Sequence, residues 1–318
     1  MRVGVVVNCG AGSVDDDATS EQRHDILEAF ETVHVDAEVV FAKGTELTDA
    51  IQAAARKHPD AVVVAGGDGS IGTAASVLAD GDVPLAVLPF GTFNHFAKDI
   101  GMPLELTAAA AAVAHGETRK VDLAEVGGHC FVNNSSIGVY PIMVAVRGQI
   151  REQRGWGKLR AVPVAMGHVL RRFPVRRITI TADGYHARLR TPFVFVGNNR
   201  YDVGPRGVGE RSEIDGGELC AYVARAESPR RLLWIAMKAV ARGSARVPEL
   251  DEICGPEITI DAHGHRVQVS LDGETMTMRS PLKYRIRPGA LPLLAEPAPG
   301  ATTGAPTDPS GADAVPTP

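Results

Sequence analysis

Two rhythms of hydrophobic and polar residues divide the chain near residue 120. Before that point, short apolar runs alternate with stripes at helical spacing. Arg2 to Val7 reads as a buried strand, and Ile26, Leu27, Phe30 and Val33 recur as one face of a helix. Glu38 to Phe41 forms a second strand, and Thr45 offers a cap for a helix carrying Leu47, Ile51, Ala54 and Ala55. Ala61 to Ala65 is a third strand, followed by glycines and a helix from Ile71 to Leu78. Leu85 to Leu88 is a fourth strand, and the alanines from Ala108 to Ala112 read as a packed helix. This alternation predicts an α/β domain over residues 1–120, with a parallel sheet joined by crossover helices.

Beyond it the texture is that of short strands and tight turns. Val121 to Val126 and His129 to Asn133 flank Gly127-Gly128, and Arg176 to Ala182 and His186 to Thr191 flank Asp183-Gly184, two hairpin signals. Leu219 to Val223, Ile258 to Asp261, Val267 to Leu271 and Leu282 to Ile286 continue the series, interrupted by helical stretches at about 141–172 and 229–242. Residues 121–290 are therefore expected to form an antiparallel β-sandwich domain whose last strand is able to return to the first domain. Residues 291–318 are mostly Pro, Ala, Gly, Thr and Ser, and are expected to be a disordered tail.

Composition narrows the class. A hydrophobic content of 44% with 22% charged residues fits a globular protein with a substantial core, and a net charge of -5 argues against a protein that coats nucleic acid. Cys9, Cys130, Cys220 and Cys254 lie far apart without paired spacing, which is expected of buried free thiols in a reducing compartment. No signal-peptide layout opens the chain and no apolar stretch approaches the length of a membrane span, so a cytoplasmic location is expected.

The candidate chemistry begins at Gly66-Gly67-Asp68-Gly69-Ser70, between a strand and a helix. Backbone N–H groups there, with the helix N-terminus, make an anion cradle, and Asp68 offers a carboxylate for Mg2+. Gly67, Gly69 and Gly72 also spell G-x-G-x-x-G. That dinucleotide fingerprint belongs after a first strand, and the acid expected about 20 residues later is absent. Neither a G-x-x-x-x-G-K-[ST] loop nor a G-x-S-x-G elbow occurs. Glycines serving only a tight turn are the structural alternative.

Gly66 to Ser70 resembles the GGDG[ST] signature of the diacylglycerol kinase, sphingosine kinase and bacterial lipid kinase superfamily, whose wider relatives include NAD kinases and 6-phosphofructokinases. Val7 to Gly12 resembles the N-P-x-[SA]-G loop after the first strand, Pro89 to Asn94 the P-x-G-T-x-N segment, and Asn133 to Gly138 the opening of the second domain. Asp215 to Leu219 is similar to the D-D-G-x-L turn, and Asp272-Gly273-Glu274 to the late D-G-E; the match covers about residues 1–288. The resemblance implies an ATP- and Mg2+-dependent lipid kinase acting on a diacylglycerol- or sphingoid-like hydroxyl between the domains. Asn8, Gly10, Gly12, Thr45, Gly66, Gly67, Asp68, Gly69, Ser70, Thr92 and Asn94 would bind ATP. Glu274 would be the base, with Asp68 organising metal or sharing that role, and Asp215 would be a second metal ligand. The chain departs from the pattern at Phe93 (usually Gly), His95 (usually Asp) and Gly216 (usually a second Asp of the turn).

Arg147, Arg151, Arg154 and Lys158 recur at spacings of four, three and four, a stripe suited to anionic lipid, with Trp156 beside it; an ordinary solvated face is the alternative. His263 and His265 alternate on an expected hairpin. Two other readings stand beside the lipid kinase: a small-molecule kinase of the NAD kinase type, and a regulatory protein that kept the fold and lost catalysis. None implies a nucleic-acid partner, and the oligomeric state is not legible.

Overall fold

In a computed structural model, residues 1–9, 16–139, 173, 175–204, 207–211, 213–242 and 247–296 are described. The expected helix at 141–172 with its Arg147, Arg151, Arg154 and Lys158 stripe, the loop glycines Gly10 and Gly12, and the chain beyond 296 lie outside these residues.

The first third of the chain alternates as its pattern predicts: β1 (Arg2–Asn8), α1 (Asp16–Thr32), β2 (Asp36–Ala42), α2 (Leu47–Ala55), β3 (Ala61–Gly66), α3 (Asp68–Leu78), β4 (Leu85–Pro89), α4 (His95–Asp99) and α5 (Leu106–His115). β1 to β4 pair in parallel in the order β2-β1-β3-β4. Every residue of β3 and of β4 is buried, as expected of strands covered by helices on both faces. The cap of α2 is Glu46, without a side-chain cap bond; Thr45 is exposed and does not serve as expected.

The second part contains β5 (Glu117–Val126), β6 (His129–Phe131), β7 (Asn134–Gly138), β8 (Arg176–Ala182), β9 (Tyr185–Thr191), β10 (Phe193–Asn198), β11 (Asp202–Gly204), β12 (Gly207–Glu210), β13 (Leu219–Ala224), α6 (Pro229–Arg242), β14 (Leu250–Gly255), β15 (Glu257–Asp261), β16 (Arg266–Leu271), β17 (Glu274–Arg279) and β18 (Leu282–Ala295). One antiparallel sheet runs β14-β13-β10-β7-β16-β17. The other continues the parallel sheet outward from β4 through β18, β15, β8 and β9. The facing apolar sides of these sheets enclose a second core around Ile137, Val196, Val269 and Tyr284.

β18 is where expectation and structure part. The strand expected to stop at Ile286 continues to Ala295, so residues 291–295, assigned from composition to a tail, are buried sheet. The register with β5 shifts between Arg287 and Leu291, across Pro288 and Gly289, and beyond this irregularity Leu293 pairs in parallel with Leu85 of β4. Leu291, Leu293 and Leu294 join the core of the α/β part.

The cysteines also differ from expectation. Cys220 on β13 and Cys254 on β14 stand directly opposite one another and form a disulfide, leaving Cys9 and Cys130 free. Sequence spacing could not show this, because the register of two strands 34 residues apart is set by the folded sheet.

Candidate active site

β3 ends at Gly66, and the backbone passes through Gly67, extended at φ -96° and ψ -177°, directly into α3. Asp68, Gly69 and Ser70, expected in a loop, therefore form the first turn of a helix. A helix start leaves its first N–H groups without intrahelical partners and carries the positive end of the dipole. None of Gly66, Gly67 and Gly69 has a positive φ, so a tight turn does not explain them. Close approach does. A Cβ on Gly66 would lie 2.6 Å from Ser70 Oγ, one on Gly91 2.5 Å from the Gly67 Cα, and one on Gly69 2.5 Å from Glu274 Oε1.

The last contact crosses between the two parts of the molecule. Asp272 and Gly273, at φ 45° and 89°, turn the chain from β16 into β17 and deliver Glu274 to the first turn of α3. A cavity of 660 Å³ opens at this junction, with Asn8, Asp68, Ser70, Thr92, Asn133 and Glu274 on its walls. That size lies within the range of small-molecule and cofactor pockets, about 300–1,000 Å³. Asn8, at the end of β1, donates from Nδ2 to Ser70 Oγ at 2.7 Å.

Asp68 is held from both parts. Its Oδ1 accepts the Phe96 N–H at 3.1 Å and Asn133 Nδ2 at 3.3 Å. Asn133 Oδ1 in turn accepts from Arg211 at 3.0 Å. The fully buried Arg211 guanidinium also pairs with Asp99 at 2.7 Å and donates to the carbonyls of Val132 and Asn198. Desolvation pushes the Asp99 carboxyl up and Arg211 opposes it. A buried cation thus ties α4 to the sandwich and, through Asn133, to Asp68. Asp272 is similarly fixed, accepting the N–H groups of Val132, Asn133 and Asn134 at 2.8, 2.8 and 3.0 Å. Burial outweighs those bonds and pushes its carboxyl up to about 6.

Residues 2–126 match the family described as "Diacylglycerol kinase catalytic domain", and residues 145–295 match "YegS C-terminal NAD kinase beta sandwich-like domain". The chain belongs to the diacylglycerol kinase/YegS family. Among relatives of this family, a Mycobacterium tuberculosis protein named "Diacylglycerol kinase" is 40% identical over 97 residues, covering 29% of this chain and 31% of its own. The chain thus spans about a third of that relative's length. A Pseudomonas aeruginosa protein named "Probable lipid kinase YegS-like" is 28% identical over 255 residues, covering 74% of this chain and 79% of its own. The crystal structure of a diacylglycerol kinase from Bacillus anthracis superposes with a TM-score of 0.67 at 20% identity, over 93% of this chain and 97% of that one, and so shares the fold.

For this member of the diacylglycerol kinase/YegS family, the cavity gathers most but not all of the residues expected from sequence. Asn8, Gly67, Asp68, Gly69, Ser70, Thr92 and Glu274 line it; Gly66 and Thr45 do not. Asn94 is buried behind it in the left-handed region, with Nδ2 donating to the carbonyls of Pro89 and Gly91, so it shapes the 89–92 segment rather than facing the cavity. Asp215 does not line the cavity. It is exposed and belongs to no cluster of metal-ligating side chains among the described residues. The one such group is Glu218, Cys220 and Cys254, in which both cysteines are already joined. The turn is held instead by Asp122, which accepts the N–H groups of Gly217 and Gly289 at 2.7 and 2.8 Å. His263 is likewise engaged with Thr179 at 3.0 Å.

The two departures at Phe93 and His95 explain one another. Their rings stack at 5.7 Å and 15° on the rim of the cavity. Arg211 and Asp99 were missed from sequence. Nothing in their spacing pairs residues 112 apart, and the only sequence signal nearby was Asn133 at the start of a family-like segment.

Proposed function

We propose that this chain transfers the terminal phosphate of ATP to a hydroxyl of a lipid, at the cavity between α3 and β17. The supporting observation is the Glu274 carboxylate packed against Gly69, which brings a proton acceptor to the helix start best suited to phosphate. Phosphoryl transfer needs positioning and charge stabilisation more than covalent help from the protein. The first turn of α3 binds the phosphates through its N–H groups, and Asn8 orients Ser70 beside them. The hard oxygen donors of Asp68 and Glu274 fit Mg2+; Asp68 would hold it, and its charge would neutralise phosphate oxygens. Glu274 accepts the proton of the attacking hydroxyl, a contribution of about 100- to 10,000-fold. Arg211 and Asn133 keep Asp68 in place throughout.

A lipid acceptor, in preference to NAD, is supported by the relatives named as diacylglycerol and lipid kinases. Retention of both Asp68 and Glu274 at the cavity argues against a catalytically silent homologue. The test is transfer of radiolabelled phosphate from ATP into a total lipid extract, with NAD as the competing acceptor. We expect labelled lipid with the wild type, and loss of most turnover with retained ATP binding in Glu274→Gln. Label in NAD alone rejects the lipid acceptor; full turnover in the variant rejects Glu274 as the base.

A further inference from the structure

Helix α6 carries a face that the protein leaves uncovered. Its inner side packs Ile235 with Ala226 and Val247, and the partly buried Leu232 joins them. Its outer side presents Leu233, Trp234 and Met237, which are 62%, 55% and 54% exposed. Positions 233, 234 and 237 fall on one face of a helix. Three large apolar side chains on one turn and a half are an unusual thing for water to meet.

The helix itself carries charge of one sign. α6 contains Arg230, Arg231, Lys238 and Arg242 and no acid. Of the acids on neighbouring segments, Glu227 pairs with Arg190 and Asp251 with Arg225, away from the helix, while Glu249 pairs with Lys238 of α6 and neutralises it. Arg230 and Arg231 make no ion pair among the described residues and are exposed. The paired Lys238 packs 4.0 Å over the Trp234 ring, so the uncompensated cations beside the apolar stripe are Arg230 and Arg231. An apolar strip containing a tryptophan and bordered by cations matches the boundary between acyl chains and anionic headgroups.

We infer that α6 is a membrane-docking helix that lies in the interface of an anionic lipid bilayer, with Leu233, Trp234 and Met237 among the acyl chains and Arg230 and Arg231 at the headgroups. Among the described residues no helix is long and apolar enough to cross a membrane, so contact through this helix is interfacial. The inference rests on the surface of α6 and not on the catalytic reading, which only gives the docking a use.

The experiment uses the full chain with Trp156→Phe, which leaves Trp234 as the one tryptophan. Vesicles of phosphatidylcholine with and without phosphatidylglycerol are added in the absence of ATP. With phosphatidylglycerol, Trp234 emission should shift to the blue and be quenched by lipids brominated in the acyl chain, and added salt should weaken the binding. Leu233→Ser with Met237→Ser should lower partitioning roughly 100-fold, about tenfold per side chain. Arg230→Gln with Arg231→Gln should lower it about fivefold per charge, on anionic vesicles only. Unchanged thermal melting confirms that these surface variants fold. Unaltered Trp234 emission on anionic vesicles overturns the inference. So does a Leu233→Ser/Met237→Ser variant that binds vesicles normally but changes oligomeric state, which would assign the face to a second copy of the chain. Because no turnover is measured, failure here is separate from failure of the kinase assignment.

Discussion

Gly69→Ala separates catalysis from stability. The added Cβ would stand 2.5 Å from Glu274 Oε1, 3.2 Å from its Cδ and 3.5 Å from its Cγ, while touching no backbone that must move. Ordinary contact requires the carboxylate to withdraw by about 0.7 Å or more. Glu274 is exposed, so its side chain has room to do this by changing rotamer. The backbone of Gly69 is helical, where alanine is favoured over glycine by up to about 1 kcal/mol, less in a first turn. The expected result is a protein no less stable than wild type whose kcat falls roughly 100-fold, the cost of displacing a reacting group by about 1 Å. Urea unfolding and steady-state kinetics on the same preparation provide both numbers. A wild-type kcat would refute Glu274 as the group that receives the proton. A loss of stability above about 2 kcal/mol would refute the geometry from which the displacement was worked.

Arg211→Met strands the Asp99 carboxylate in the interior and should cost about 3–5 kcal/mol in urea unfolding. Adding Asp99→Leu should recover much of that stability but not turnover, because Asn133 and Asp68 remain unbraced; joint recovery of both would show that the brace is only structural. For Asp272, the folded state keeps a proton that the unfolded chain has released between about pH 4 and pH 6, so this group's contribution to stability declines as pH rises through that window. The stability difference between wild type and Asp272→Asn should fall across the same window, and a flat difference contradicts burial as the dominant influence. Alkylation of denatured, unreduced protein should label Cys9 and Cys130 and spare Cys220 and Cys254; four labelled thiols would contradict the pairing.

Much of the α/β part was legible because buried parallel strands announce themselves as apolar runs between helical stripes, as Ala61–Gly66 and Leu85–Pro89 do. The hairpin of β8 and β9 was legible from Asp183-Gly184, whose positive φ values need those residue types. β7 was not read as a strand, because Asn134-Ser135-Ser136 lacks an apolar rhythm: Ser135 and Ser136 are buried among other strands, and Asn134 reaches the cavity wall. The end of β18 was misread because Pro288, Gly289 and Pro292 resemble the composition that follows them. Of the residues expected on short motifs, Asn8, Gly67, Asp68, Gly69, Ser70, Thr92 and Glu274 lie together on one cavity, since local sequence fixes both the turn and the side chain it presents. The Arg211 brace was not, since it joins segments that meet only after both domains have packed.

The position of β18 also sets an order of assembly. During synthesis β4 emerges from the ribosome with one edge open, and roughly two hundred residues must follow before the strand that lies along it exists. The nascent α/β half is therefore denied its closing strand until translation has passed the entire sandwich. Shortening the gene by the few codons for residues 291–295 would remove that strand's end from the half encoded first.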